Sequence, residues 1–233
     1  MFSPSSKARL TEHDLGRFQG DTLFDRIARA TCEAGCLPRK ELYEGWEVAR
    51  RVRRVFRGGR IIDLAAGHAL LAQILLILDD SSPAAVAVDT VFPASSARLH
   101  DTLSRTWPQL HSRVTFAARS LDSIELHADD VVVSSHACGA LTDLVIGRAI
   151  AARARVAVLP CCHVFKANDQ GMLSGWVDGA LAIDIMRVVK LEQNGYHVRT
   201  QTIPASVTPK NRLLLASPRS PIREVSSPGE SPM

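Results

Sequence analysis

The chain has 233 residues, 46% hydrophobic and only 5% aromatic, enough for one well-buried domain with a mainly aliphatic core. Its formal charge of +4 is compatible with an anionic partner without requiring one. No apolar run reaches the roughly 18 residues of a membrane span and the N-terminal segment lacks a signal peptide's apolar core, so the expectation is a cytoplasmic protein with no membrane contact, whose five cysteines are reduced thiols.

In chain order, residues 1–10 read as a polar, loose arm. From Thr11 to about Cys36 apolar residues recur at helical spacing, through Leu15, Phe18, Phe24 and Ile27. Cys32 and Cys36 lie in this stretch as apolar filler. Pro38 opens a second helix over about 39–56, which Gly58-Gly59 ends. In the stretch 47–60, EVARRVRRVFRGGR, Val48, Val52, Val55 and Phe56 point inward and Arg50, Arg51, Arg54 and Arg57 outward. That is either a phosphate-gripping face or a solvated one, and the arginines elsewhere in the chain favour the latter.

Residues 60–78 read as a strand, a small-residue turn and an apolar helix. Further strands are expected at 84–89, 129–135 and 155–163, a strand then a loop over 113–122, and helices at 93–107, 140–154 and 174–195. A pair of antiparallel strands, 196–204 and 211–218, closes the pattern. Short apolar strands alternating with helices imply a mostly parallel sheet covered on both faces. The boundaries expected are an arm at 1–10, a helical extension at 11–57, the main domain at 58–217 and a Pro/Ser-rich disordered tail at 218–233.

In such sheets ligands bind outside the carboxyl ends of the strands. The first strand ends at Asp63-Leu64 and enters the turn Ala65-Ala66-Gly67-His68-Ala69; small residues there admit a ligand close to the backbone. Asp89 ends the second strand, where a carboxylate can accept two ribose hydroxyls. The pattern D-x-A-x-G-x-A resembles motif I of the class I S-adenosylmethionine methyltransferases, D/E-x-G-x-G-x-G, with alanine at two of the three glycines. The closing antiparallel pair suits that fold and not the nicotinamide-binding one. The resemblance implies a Rossmann-like class I methyltransferase α/β fold: a seven-stranded, mostly parallel sheet with a C-terminal antiparallel hairpin, plus N-terminal helices. It also implies S-adenosylmethionine as cofactor, held by Asp63, Ala65, Gly67, Asp89, Asp122 and Ser134.

Two clusters remain. HACG, 136–139, follows the fourth strand, and PCCH, 160–163, the fifth. In a doubly wound sheet both loops sit on one edge and can face each other. The paired motifs, with DLAAGHALLA and TPKNRLLLA, resemble the methyltransferase domain of the eukaryotic tRNA acceptor-stem 2′-O-methyltransferases. They also resemble relatives known only as methyltransferase-like, one of them fused to a glutathione-transferase-like region. The likeness covers about 39–217, without the Cys-rich zinc-finger regions of the tRNA enzymes. It implies RNA as a first acceptor; a small molecule or a protein is the second, and a non-catalytic cofactor- or partner-binding domain is a third possibility.

His136 reads either as a general base or as a pocket-shaping loop residue. Asp143 reads as a catalytic group or a helix-start acid, the latter slightly ahead. Cys138, Cys161, Cys162, His163, Lys166 and Asn168 are the candidate substrate contacts. No metal is expected: the spacing fits no standard knuckle, and adjacent cysteines in extended backbone point to opposite faces. Nothing specifies an activated nucleophilic cysteine.

Overall fold

The computed structural model describes residues 2–219. The first 3-10 turn, Glu12–Arg17, precedes α1 (Leu23–Ala34) and α2 (Arg39–Val55). Thr22 caps α1 by accepting the Asp25 amide at 3.1 Å, and Gly35, in the left-handed region at φ +58°, ends it. Then come β1 (Ile61–Leu64), α3 (Leu70–Leu78), β2 (Ala85–Asp89), α4 (Ser96–Thr106), the single turn α5 (Leu110–Arg113) and β3 (Val114–Ala118). The chain continues through β4 (Val131–Ser134), α6 (Ala140–Ala152), β5 (Arg155–Val158), α7 (Gly179–Gln193), β6 (Tyr196–Thr202) and β7 (Arg212–Pro218).

The sheet order is β3-β2-β1-β4-β5-β7-β6. The first five strands pair in parallel; β7 is antiparallel to β5 and to β6. Successive side chains of a strand point to opposite faces, and the core divides accordingly. Ile61, Val131, Val133 and Ala157 pack toward the layer holding Leu42, Val48, Leu71 and Leu75. Ile62, Leu64, Val132, Val156 and Val158 pack toward Val145, Ile146, Ala149 and Leu191. Tyr196 is fully buried on that second face, its hydroxyl reaching the Ala149 and Ala154 carbonyls at 2.8 and 3.0 Å.

Four expectations are revised. Residues 2–10 lie docked: Leu10 is fully buried and donates its amide to Leu37, and Arg9 bridges Pro38. The strand expected through 163 pairs only to Val158, because Pro160 has no N–H for the ladder. The helix expected from 174 starts at Gly179, where the Asp178 carboxylate accepts the Leu181 amide at 3.0 Å. The tail expected from 218 is not free at its first two residues, since Pro218 pairs with Tyr196 and Arg219 donates to the Tyr196 carbonyl at 3.2 Å; the rest of it, 220–233, lies outside the described residues.

The helical extension shares the main core. Val48, Val52 and Phe56 are buried as expected. Arg53, however, is 3% exposed. It sits 3.1 Å from Asp79 and donates to the Leu75 carbonyl and the Ser82 hydroxyl, tying α2 to the end of α3. Arg50 and Arg51 pair with Glu47, Arg51 also donates to the Thr202 carbonyl, and Arg57 lies 3.5 Å from Asp79. Most of this stretch's arginines are thus engaged within the fold. Arg53→Ala should destabilise the chain by about 3 kcal/mol, through loss of the buried pair with Asp79 and of the bonds to Leu75 and Ser82; urea unfolding of the two proteins measures this.

Candidate active site

The carboxyl ends of β1, β2 and β4 meet where α3 and α6 leave the sheet on opposite faces, which is where an open α/β sheet forms its binding crevice. The β1 turn has an unusual backbone: Ala65, Gly67 and Ala69 all lie in the left-handed region, at φ +57°, +55° and +60°. The two alanines therefore hold the conformation that glycine adopts freely, at a cost of order 1 kcal/mol each.

Asp89 secures this turn by accepting the Gly67 amide on one carboxylate oxygen at 2.9 Å. Arg119, on the loop after β3, donates its amide to the Asp89 carbonyl, which sets the segment carrying Asp122 beside β2. Asp122 is exposed, and the Ser120 hydroxyl bonded to it holds its carboxyl below the ordinary range. Gly67 faces the next loop: a Cβ built there would lie 3.8 Å from Cδ2 of His136.

Asp63 and Ser134 occupy the site's foundation. Asp63 is 1% exposed and accepts the Ala72 amide at 3.2 Å, and burial raises its pKa to about 7. The Ser134 hydroxyl donates to the Leu64 carbonyl at 2.6 Å and accepts the Ala137 amide at 3.1 Å. Both residues hold backbone in place, joining the β1 turn to its own helix and to the β4 loop.

His136 opens on a cleft of about 580 Å³, whose walls include Lys40, Glu41, Cys161, Cys162 and Lys210. Burial lowers the His136 pKa, as do nearby His68 and Lys40, so the imidazole is neutral and able to accept a proton near pH 7. Glu41, on the first turn of α2, was not recognised as a site residue in the sequence. Burial and the neighbouring Glu44 raise its pKa to about 7. It lies 3.8 Å from Nδ1 of His68, whose own pKa burial lowers. Its spacing resembles an ordinary acid in a helix's first turn, and only the packing of α2 against the sheet edge brings it here.

Several candidate contacts have other partners. Asp143 neither caps α6 nor faces the cleft freely: Nε of Arg187 donates to it at 2.9 Å and Asn168 at 2.6 Å. His163 lies 2.9 Å from Asp184, which also receives Arg187 and Arg212. Asn168 further accepts the Val164 amide. Asp143, His163 and Asn168 therefore belong to one ionic network that holds the 161–168 loop on α6 and α7. Lys166 is exposed. Cys32 and Cys36 are buried in the core, whereas Cys138 and Cys161 meet, their sulfurs 2.8 Å apart. Burial raises the pKa of both, while hydrogen bonding from Cys138 and the Lys210 ammonium lower that of Cys162. The two loops thus do face each other across the sheet edge.

With this geometry established, comparison with known proteins identifies the class. A family model described as a methyltransferase domain matches residues 46–165, more than half of the chain, and the chain belongs to that family. The match begins inside α2, so the family unit includes part of the helical extension. An O-methyltransferase family protein from Burkholderia thailandensis shares the fold at a TM-score of 0.52 and 18% identity, over 93% of this chain and 66% of that one. A glutathione S-transferase C-terminal domain-containing protein of Xenopus laevis is 29% identical over 122 residues, 37% of this chain and 20% of that protein. The chain thus spans about a fifth of that curated relative. The seven-stranded sheet with its antiparallel hairpin is the Rossmann-like fold expected.

S-adenosylmethionine is the cofactor this family implies, and the residues present fit it. The left-handed turn brings backbone close to the crevice, Asp89 keeps its second oxygen free of any protein partner among the described residues, and Asp122 stands exposed on the adjoining loop. No helix among the described residues is long and apolar enough to cross a membrane.

Two predictions follow from these partners. The Asp63 pKa is raised from 3.8 to about 7, so its contribution favours folding at low pH and is lost as pH rises through that window. Asp63→Asn should gain on the native protein as pH rises, reaching roughly 2–4 kcal/mol above about pH 7; urea unfolding across pH measures the difference. Asp143→Ala should lower stability by roughly 2 kcal/mol, because it leaves buried Arg187 short of a partner, a loss read from thermal unfolding without any substrate present.

Proposed function

We propose that this chain is an S-adenosylmethionine-dependent methyltransferase whose donor lies over the carboxyl ends of β1, β2 and β3 and whose acceptor enters the His136 cleft. The observation that carries this reading is the approach of the His136 ring to Gly67, where a Cβ built on that glycine, whose amide Asp89 holds, would lie 3.8 Å from the ring. It puts a neutral imidazole beside the turn that approaches the donor. When bound, the sulfonium supplies an electrophilic methyl group. Methyl transfer depends mostly on positioning, so few groups are needed. Asp89 accepts ribose hydroxyls, the 65–69 turn shapes the donor pocket, and Asp122 stands where it can meet the adenine edge. His136 takes the proton released as an acceptor hydroxyl or amine forms its new bond to carbon.

RNA, with a ribose 2′-hydroxyl as the methylated group, is the first acceptor class. The paired HACG and PCCH motifs support it, as do Lys7, Lys40 and Lys210 around the cleft. A small-molecule acceptor is the second reading, favoured by the engagement of most of the arginines around α2 within the fold. A cytoplasmic location is part of the same proposal, resting on the sequence alone.

Calorimetric titration with S-adenosylmethionine tests the donor site. Saturable binding should be lost in Asp89→Ala and kept in His136→Ala. In an assay with labelled donor against tRNA and small hydroxyl acceptors, His136→Ala should lower turnover by about 10²–10⁴-fold. If Asp89→Ala bound the donor as the native chain does, this placement of the site would be wrong.

A further inference from the structure

The three cysteines of the two loops form the one cluster of metal-ligand type among the described residues: the sulfurs of Cys138, Cys161 and Cys162 all lie within 4.8 Å of one another. Neighbouring side chains in extended backbone diverge, yet the Cys161 and Cys162 sulfurs lie within 4.8 Å of each other, in chain beyond Val158, the last residue of β5.

We propose that Cys138, Cys161 and Cys162 form a three-thiolate site for a soft d¹⁰ cation, zinc(II) in the first instance, with its fourth position open to the His136 cleft. Four observations support it. First, the sulfur-bearing loops are already held together by backbone, the Gly139 amide donating to the Cys162 carbonyl at 3.1 Å and the Leu159 amide to the Ser134 carbonyl at 3.0 Å. A site built this way needs little ordering when the ion arrives.

Second, Gly139 is kept glycine by its surroundings. Its φ is +59°, and an added Cβ would lie 3.0 Å from a Val164 methyl. That residue lets the chain turn directly after Cys138, so that the Cys138 sulfur meets the other loop. Third, the sulfurs lie within a small shift of the spacing a tetrahedral ion sets. Zinc–sulfur bonds of about 2.3 Å set the sulfurs about 3.8 Å apart; Cys138 and Cys161, at 2.8 Å, would open by about 1 Å, and Cys138 is on the exposed side of the pair.

Fourth, the charge balances. Three thiolates and one dication carry a net −1, and Nζ of Lys210 lies 3.7 Å from the Cys162 sulfur. A disulfide between Cys138 and Cys161 would use two sulfurs and leave the third, with its lysine, without a role. Binding displaces one proton from each thiol to solvent, and no electron moves. With three protein ligands, the ion keeps an open position, here on the side of the cleft lined by Cys161, Cys162 and His136.

The test uses the full chain, reduced and freed of metal by chelator, titrated with cobalt(II) and then zinc(II). One equivalent of cobalt should bind with a thiolate-to-metal charge-transfer absorption and be displaced by one equivalent of zinc. Cys138→Ser and Cys161→Ser should each lose this absorption while their thermal unfolding stays that of the native chain. Cys32→Ser, a buried cysteine outside the cluster, should keep it. The proposal is overturned if the reduced native chain takes up no stoichiometric metal, or if uptake survives in the Cys138→Ser/Cys161→Ser double variant. It is equally overturned if a Cys138–Cys161 disulfide persists under reducing conditions.

Discussion

The divergence of β1 and β4 is the constraint on which the site depends. These neighbouring parallel strands send their helices to opposite faces, leaving a crevice between their carboxyl ends. A crevice alone would be soft, and one hydroxyl holds its base. Ser134 donates to the last residue of β1 and accepts from the start of the next loop, so the 65–69 turn and the HACG loop are anchored to a common point. Asp63 does the same for α3 by accepting the Ala72 amide. Together they fix the spacing of the two loops at the crevice.

The second layer of the site is ionic. Asp143, Asp184, Arg187 and Arg212 pair across α6, α7 and β7, and His163 and Asn168 extend the network into the loop after β5. Arg187 and Asp184 are buried, so each would be costly alone and is compensated only as part of the set. The result is a loop carrying Cys161 and Cys162 that is held from behind by charge and from the side by the Gly139–Cys162 hydrogen bond. The reactive edge thus has the positional support that methyl transfer or metal binding requires.

The N-terminal helices belong to this machinery. The arm and α2 supply Lys7, Lys40 and Glu41 to the cleft wall, and Arg53 locks α2 to the end of α3. The engagement of Arg50, Arg51 and Arg53 with acids and carbonyls of the fold gives the arginine-rich segment a structural reason that holds whatever the acceptor.

Much of this was determined by the sequence itself. Apolar periodicity located nearly every strand and helix, because a residue's face is set by short-range geometry. The turn at 65–69 and Asp89 were legible because strand ends and small residues are local features. What tertiary structure decided were the partners. His163 and Asn168 resembled substrate contacts, and Asp143 a helix-start acid or a catalytic group, until α7 brought Asp184 and Arg187 against this region. Glu41 looked like a routine helix-start acid until packing buried it beside Glu44 and His68. The cysteine pair looked divergent, yet its sulfurs lie within 4.8 Å of each other and of the Cys138 sulfur. In each case a contact between residues more than 20 positions apart takes part: Asp143 with Arg187, His163 with Asp184, Glu41 with His68, Cys138 with Cys161. No local pattern encodes these contacts, because they follow from how the whole sheet closes.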